Sequence, residues 1–255
     1  MIEVNRICFN KYTLCSFVIL GILIVSSCSR MTKPFRPEGV PEQSVYDRKM
    51  GLWNYTENNG IFRSYYSNGK IAESGELKDG KREGIWRTYS ADENSIACEG
   101  LYKNDRRDGT WRWYDGDGKL YQTIEYREKP IRSFGFFYLR DYGNENGKHK
   151  RFFPNGRIEE EGNYDGGYHS GNMTRYYKNG NTAIVGRYEK DNKVGLWIYY
   201  YPEGSVEREE NYSANGVLHG FLKNYKPDGS LYQKVRYQNG VQTGEAEIFY
   251  GVSVK

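Results

Sequence analysis

Gly60, Gly84, Gly109, Gly147, Gly171, Gly195, Gly220 and Gly244 each open an aromatic-rich run, at intervals of 24, 25, 38, 24, 24, 25 and 24 residues. A period this short and this regular specifies an array of small units, each leaning on its neighbours. Five residues after every start stands an aromatic: Tyr65, Tyr89, Tyr114, Phe152, Tyr176, Tyr200, Tyr225 and Phe249. Two residues after the start the side chain is usually large, as at Phe62, Trp86, Trp111, Met173, Trp197 and Leu222, while His149 takes that place in the unit opened by Gly147.

Each aromatic run ends in a turn sequence such as SNG (67–69), GDG (116–118), PNG (154–156), KNG (178–180), PEG (202–204) or PDG (227–229). Asn-Gly and Asp-Gly between strand-like runs predict a type I′ hairpin, in which both central residues take positive φ. A second strand follows, carrying Leu77, Tyr102, Tyr126, Tyr164, Tyr188, Tyr212 or Tyr237, and closes on another polar turn such as KDG, YDGG or QNG. The expected fold is all-β, an elongated open array of antiparallel hairpins forming a single-layer twisted sheet over residues 51–255. Each opening glycine is expected where a turn enters a strand. The second and fifth places have opposite parity, so rings point to both faces unless a bulge restores one. Residues 51–59 and 135–146 read as half units, and the tail from Gly244 as an unfinished capping one.

Composition agrees with a thin, wetted structure. Only 37 % of the chain is hydrophobic, whereas Tyr (25) and Gly (30) are plentiful. Tyrosine suits half-exposed surfaces because its ring is apolar and its tip polar. Once residues 1–27 are set aside, about three net positive charges remain, too few and too dispersed for a nucleic-acid footprint.

The N-terminus reads as an export signal: Arg6 and Lys11 precede an apolar run, Leu14 to Val25, of secretory length. VSSC (25–28) resembles a bacterial lipobox, which implies cleavage of residues 1–27 and acylation of Cys28. An uncleaved anchor is the alternative. Residues 28–50, with Pro34, Pro37 and Pro41, are expected to tether lipid to array. Cys98 would then be the sole thiol of the mature chain, without an intrachain disulfide, and reads as a variable strand residue.

The pattern GxWxxYxxNGxIxxxxxYxxG, sustained over about residues 51–250, resembles the MORN-repeat variant of bacterial exported proteins, the family often labelled YwqK-like antitoxins. The resemblance implies an open hairpin array without a catalytic centre, whose role is contact with proteins or membranes.

No nucleophile–base pair, HExxH or phosphate loop stands in the sequence. Asp115 and Asp117 open like a calcium loop, but Lys119 and Tyr126 break the pattern. His169 and His219 flank turn glycines and, like His149, lack neighbours at metal-ligand spacing. The acidic runs EEE (159–161) and EREE (207–210) read as solvated strand edges.

The expected function is accordingly non-enzymatic: a lipid-anchored cell-envelope scaffold for an envelope protein partner, on the membrane through its N-terminal lipid, without cofactor or metal. The candidate stacking or binding rings are Trp86, Trp111, Trp113, Trp197, Tyr65, Tyr89, Tyr114, Tyr176, Tyr200 and Tyr225. A glycan-binding module using spaced rings, or an immunity or antitoxin-type protein, are the alternatives.

Overall fold

A computed structural model describes residues 34–91, 95–127 and 145–250. The signal segment and Cys28 lie outside the described residues, as does the proposed half unit at 135–146 apart from its last two residues. Successive strands pair antiparallel, except that Gly171–Tyr176 and Glu247–Ile248 pass over the two-residue strands before them to pair with Ile158–Asp165 and Leu231–Gln238, giving one open 19-stranded sheet whose ends are Val45–Asp47 and Glu247–Ile248. No helix occurs among the described residues. The 38-residue interval does not interrupt the sheet, because Leu120–Tyr126 pairs directly with Glu145–Phe152, setting Ile124 opposite His149.

Two turn types recur, one mainly on each long edge, and the type I′ turns lie on the edge opposite to the one expected from sequence; at 213–217 that edge too carries a three-residue loop. At SNG the loop has three residues: Tyr66 N–H donates to the Lys70 carbonyl (2.9 Å) and Gly69 N–H to the Tyr66 carbonyl (3.0 Å). Gly69 takes φ 82°, whereas Asn68 is absent from the residues with positive φ. This is a type I turn closed by a left-handed glycine, not a type I′ turn. Asn68 stays right-handed because its Oδ1 accepts the Lys70 backbone N–H at 3.0 Å. The type I′ geometry belongs to the other edge, where Asp79 and Gly80 (φ 52° and 75°), or Lys190 and Asp191 (48° and 66°), form two-residue loops.

Register explains the difference. Next to each three-residue loop the pairing slips, so that Ser64 faces Glu73 but Tyr65 faces Ile71, leaving Ala72 as an extra, fully buried residue. A second irregularity falls at the opening glycines. In Lys81–Tyr89 the pairing passes from Glu76↔Glu83 to Ser74↔Arg87, so three residues stand against one. Gly84, Gly109 and Gly195 therefore lie inside strands, at bulges, and not where a turn enters. All eight opening glycines have positive φ, from 63° to 133°.

The bulge does not bring the second and fifth places onto one face. Along Lys81–Tyr89, Trp86 and Thr88 are buried while Ile85, Arg87 and Tyr89 alternate with them on the opposite, wetter face. It gives room to the indole instead. A Cβ added to Gly75, Gly100 or Gly186 would lie 2.2–2.3 Å from Trp86, Trp111 or Trp197, so each indole lies flat over the glycine of the preceding strand. The rings form a spine along one face, in which Trp86, Tyr102 and Trp111 meet edge to face at 5.8 and 5.0 Å. Such ring pairs contribute about 0.5–1.5 kcal/mol each beyond their burial.

Two expectations about the N-terminal part need correction. The described part of the tether, 34–50, is folded onto the array: Val45–Asp47 pairs with Leu52–Thr56, and Val40 is buried beside Trp53 and Tyr65. Pro37 and Pro41 carry the turns of this cap, each carbonyl accepting a backbone N–H three residues on. Cys98 is buried, lies 3.3 Å from the Thr88 hydroxyl, and is disulfide-bonded. The expectation of a sole thiol is made for a chain cleaved before Cys28, a residue outside those described.

Candidate functional site

The spine absorbs most of the rings expected to bind. Trp86, Trp111, Trp113 and Trp197 are 1–4 % exposed and Tyr65 6 %. An indole so covered offers no face to a sugar ring, which removes the geometric basis of the glycan reading. Cations cap the spine from the type I′ edge: Arg82 lies 4.0 Å from the Tyr102 centroid, Arg107 4.3 Å from Trp111 and Lys193 4.5 Å from Trp197.

Apart from the buried Tyr65, the tyrosines of the fifth place lie on the opposite face and are half-buried. Tyr114 donates to Glu99 Oε1 (2.9 Å) and Tyr176 to Glu161 Oε1 (2.8 Å), while the Tyr89 hydroxyl meets that of Ser74 at 3.2 Å. Burial, together with the bond to Glu99, pushes the Tyr114 hydroxyl pKa up; for Tyr176 the bond to Glu161 is the main cause. Both hydroxyls therefore remain donors at neutral pH. Tyr200 and Tyr225 offer their carbonyls to the hydroxyls of Tyr177 (2.5 Å) and Tyr201 (2.9 Å), about one period earlier in the chain. Exposed apolar groups share this face: Ile85 (58 %) sits opposite Leu101 (39 %) across paired strands, with Leu196 and Phe221 at the same place of later units.

In the middle of the sheet the spine turns polar. His149, on Glu145–Phe152, occupies the place of Trp86 and Trp111; His169, on Tyr168–His169, occupies that of Arg82, Arg107 and Lys193. Glu160, on Ile158–Asp165, stands where Cys98 stands in its unit. One ligand atom from each of His149, Glu160 and His169 lies within 4.8 Å of the other two. His149 is 3 % and Glu160 7 % exposed. Tyr164 and Tyr188 wall the group, their centroids 4.6 and 5.3 Å from the His169 ring. Gly162, directly opposite His149, leaves room for the imidazole, whose Cε1 would be 2.7 Å from a Cβ there.

Polar contacts fix two of the three groups. Glu160 lies cross-strand from both Arg151 and Arg175, whose guanidiniums bond its Oε2 at 3.2 and 2.5 Å. Its Oε1 is 3.4 Å from His149 Nε2. Burial works against the charge of Glu160, but the bonds from His149 and Arg175 and the charges of both arginines outweigh it, holding the carboxyl at about 2. Asp191 Oδ1 sits 2.8 Å from His169 Nδ1 and accepts the His169 backbone N–H at 2.7 Å. His149 Nδ1 is buried without a hydrogen-bond partner.

Sequence reasoning took His149 and His169 for isolated residues and 159–161 for a solvated edge; Glu160, and likewise Glu210 of 207–210, is in fact buried. Superposing places across units would have shown the group. His149 replaces a spine indole, His169 a capping cation and Glu160 a spine residue, all around one strand crossing.

Residues 58–79, 107–128, 145–165 and 193–214 match the MORN repeat variant family. Each matched segment begins two residues before an opening glycine, and the third contains His149 and Glu160. No curated protein shows significant similarity to the chain.

Proposed function

We propose that this chain is a non-enzymatic, lipid-anchored scaffold of the bacterial cell envelope that seats a partner protein on the face opposite the ring spine. Repeats of the matched type are generally modules for contact with proteins or membranes. The observation that carries the reading is the division of labour between faces. One face spends its rings on internal stacking; the other keeps Ile85 and Leu101 exposed side by side among half-buried tyrosines and ion pairs such as Arg87–Glu99 (3.1 Å). Apolar groups exposed together and rimmed by polar ones are the usual make-up of a contact surface. The lipobox resemblance at 25–28 supports the anchor.

The test has two arms. Cells fed an alkyne-tagged fatty acid should label the wild-type chain and not a Cys28→Ser variant; label on the variant would refute the anchor. A photo-crosslinker placed at position 87 should trap a discrete partner, and Ile85→Glu with Leu101→Glu should abolish that adduct without lowering the unfolding midpoint. No adduct, or one indifferent to both charges, would refute the scaffold.

A further inference from the structure

We propose that His149, Glu160 and His169 form a binding site for one divalent transition-metal ion of the zinc class, with Asp191 as the group that orients His169.

The donor geometry is the first argument. Zinc bonds to nitrogen and oxygen are about 2.0–2.2 Å, so neighbouring ligands of a tetrahedral ion stand roughly 3.3–3.5 Å apart. His149 Nε2 and Glu160 Oε1 are 3.4 Å apart, long for a hydrogen bond and equal to a tetrahedral edge. The third ligand must close in by at most about 1.4 Å from the observed 4.8 Å limit to reach such an edge. Asp191 anchors the His169 ring at Nδ1 only, and this side chain, 21 % exposed against 3 % for His149, is the one with room to turn.

The second argument is the way His149 Nε2 faces Glu160. If His149 carries its proton on Nδ1, that buried N–H has no acceptor, and the Nε2 lone pair confronts a carboxylate. If the proton is on Nε2, the Nδ1 lone pair is buried unused. Either tautomer leaves Nδ1 without a partner. A cation between His149 Nε2 and Glu160 Oε1 selects the first tautomer and turns its lone-pair repulsion into two coordinate bonds, while Nδ1–H stays without an acceptor.

The third argument is Asp191. A carboxylate on Nδ1 leaves the His169 Nε2 lone pair as the free donor, which is the arrangement that raises a metal-binding imidazole's basicity. The capping cations at the same place in other units, Arg82, Arg107 and Lys193, cannot donate a lone pair.

Ligand chemistry sets the class of ion. Two imidazoles and one carboxylate suit zinc, copper or nickel, whereas calcium and magnesium need more oxygens. Arg151 and Arg175 sharpen this preference. Both bond Oε2, leaving Oε1 free, and their charges oppose any cation held mainly by electrostatic attraction. Three protein ligands leave a fourth position for water or for a donor from outside the chain.

The experiment uses the untagged full chain, stripped with chelator and titrated with Co²⁺ in the visible region, then with competing Zn²⁺ and Ca²⁺. One equivalent of Co²⁺ should give the intense d–d absorption of a tetrahedral site, displaced by Zn²⁺ and indifferent to Ca²⁺. His149→Phe, which keeps a ring in the spine, and His169→Phe should each weaken binding at least tenfold, and Asp191→Asn by about ten- to a hundredfold. His219→Ala should leave it unchanged. No saturable binding by the folded chain, displacement by Ca²⁺, or binding that survives His149→Phe would overturn the proposal.

Discussion

The units opened by Gly109 and by Gly147 are built alike and filled differently. Both set the residue of the second place opposite the middle of the returning strand: Trp111 opposite Ile124, His149 opposite Gly162. In the first, the side chain lies over Gly100, meets Tyr102 and Tyr126 edge to face, and bonds the Leu101 carbonyl through its indole N–H at 3.0 Å. In the second, a smaller ring meets a carboxylate at long range and leaves a nitrogen unused. The same backbone thus carries either a satisfied apolar spine or an under-satisfied polar group. Stability of the array therefore resides in the first kind of unit, and chemistry becomes available in the second.

Trp111→Ala should show this most clearly. Removing a buried indole from a spine that cannot close around the gap costs about 3–5 kcal/mol. His149→Ala removes a smaller ring together with its unmet nitrogen, so its cost should be about 1 kcal/mol or less. Urea unfolding of the two variants measures the difference; equal losses would mean that both rings are packed alike. One step smaller is Gly100→Ala, whose Cβ would sit 2.3 Å from the Trp111 ring and which should cost roughly 1–3 kcal/mol by overpacking. Gly109→Ala, with nothing within 4 Å but φ +63°, isolates the backbone and should cost about 1–2 kcal/mol.

Much of this architecture was legible because its causes are local. The glycine period, the aromatic fifth place and the polar turn triplets mark strands and bends residue by residue. Which turn becomes type I′ was not legible, because Asn-Gly suits both loops and the choice follows from the extra buried residue, Ala72 in the first unit, that shifts the register. Gly75, Gly100 and Gly186 passed unnoticed for a related reason: their role is to lie beneath an indole of the next unit, a contact with no signature inside a single strand. The His149–Glu160–His169 group is hidden in the same way. Its members come from two different places of one unit and the start of the next, and only the pairing of Glu145–Phe152 with Ile158–Asp165 and of the latter with Tyr168–His169 brings them together. The folding of Val40 onto Trp53 went unread because prolines there suggested extension, whereas they carry turns.

Acid sharpens the comparison in opposite directions. Burial raises the pKa of Glu73, in the aromatic region, against the pull of Arg82 and Arg107. The folded form there binds a proton more readily than the unfolded chain, so the charged group destabilises at neutral pH and the penalty fades as pH falls. Glu160 is depressed to about 2, so its stabilising contribution is complete above the ordinary carboxylate range near 4.5 and is lost as pH falls from there toward 2. Glu73→Gln should raise the urea midpoint at pH 7 and lose its advantage in acid. Glu160→Gln should lower the midpoint at pH 7, with the gap narrowing between about 4.5 and 2. Parallel pH profiles for the two variants would refute the contrast between regions.

The smallest effect tests whether the regions differ in anything but their spines. Along the three-residue-turn edge, Tyr66 donates its hydroxyl to the Tyr89 carbonyl (2.7 Å) in the aromatic region, and Tyr177 to the Tyr200 carbonyl (2.5 Å) just beyond the histidine group. These bonds tie each unit to the next, the neighbour term of a quasi-linear array. Water can reach the part-buried edge, so losing either hydroxyl should cost only about 0.5–1.5 kcal/mol. Tyr66→Phe and Tyr177→Phe should therefore shift the unfolding midpoint equally, since neither hydroxyl touches the spine. A markedly larger loss at Tyr177 would mean that the unit with the weaker spine relies on its edge for coupling, and that the polar group costs the array more than its own unmet nitrogen.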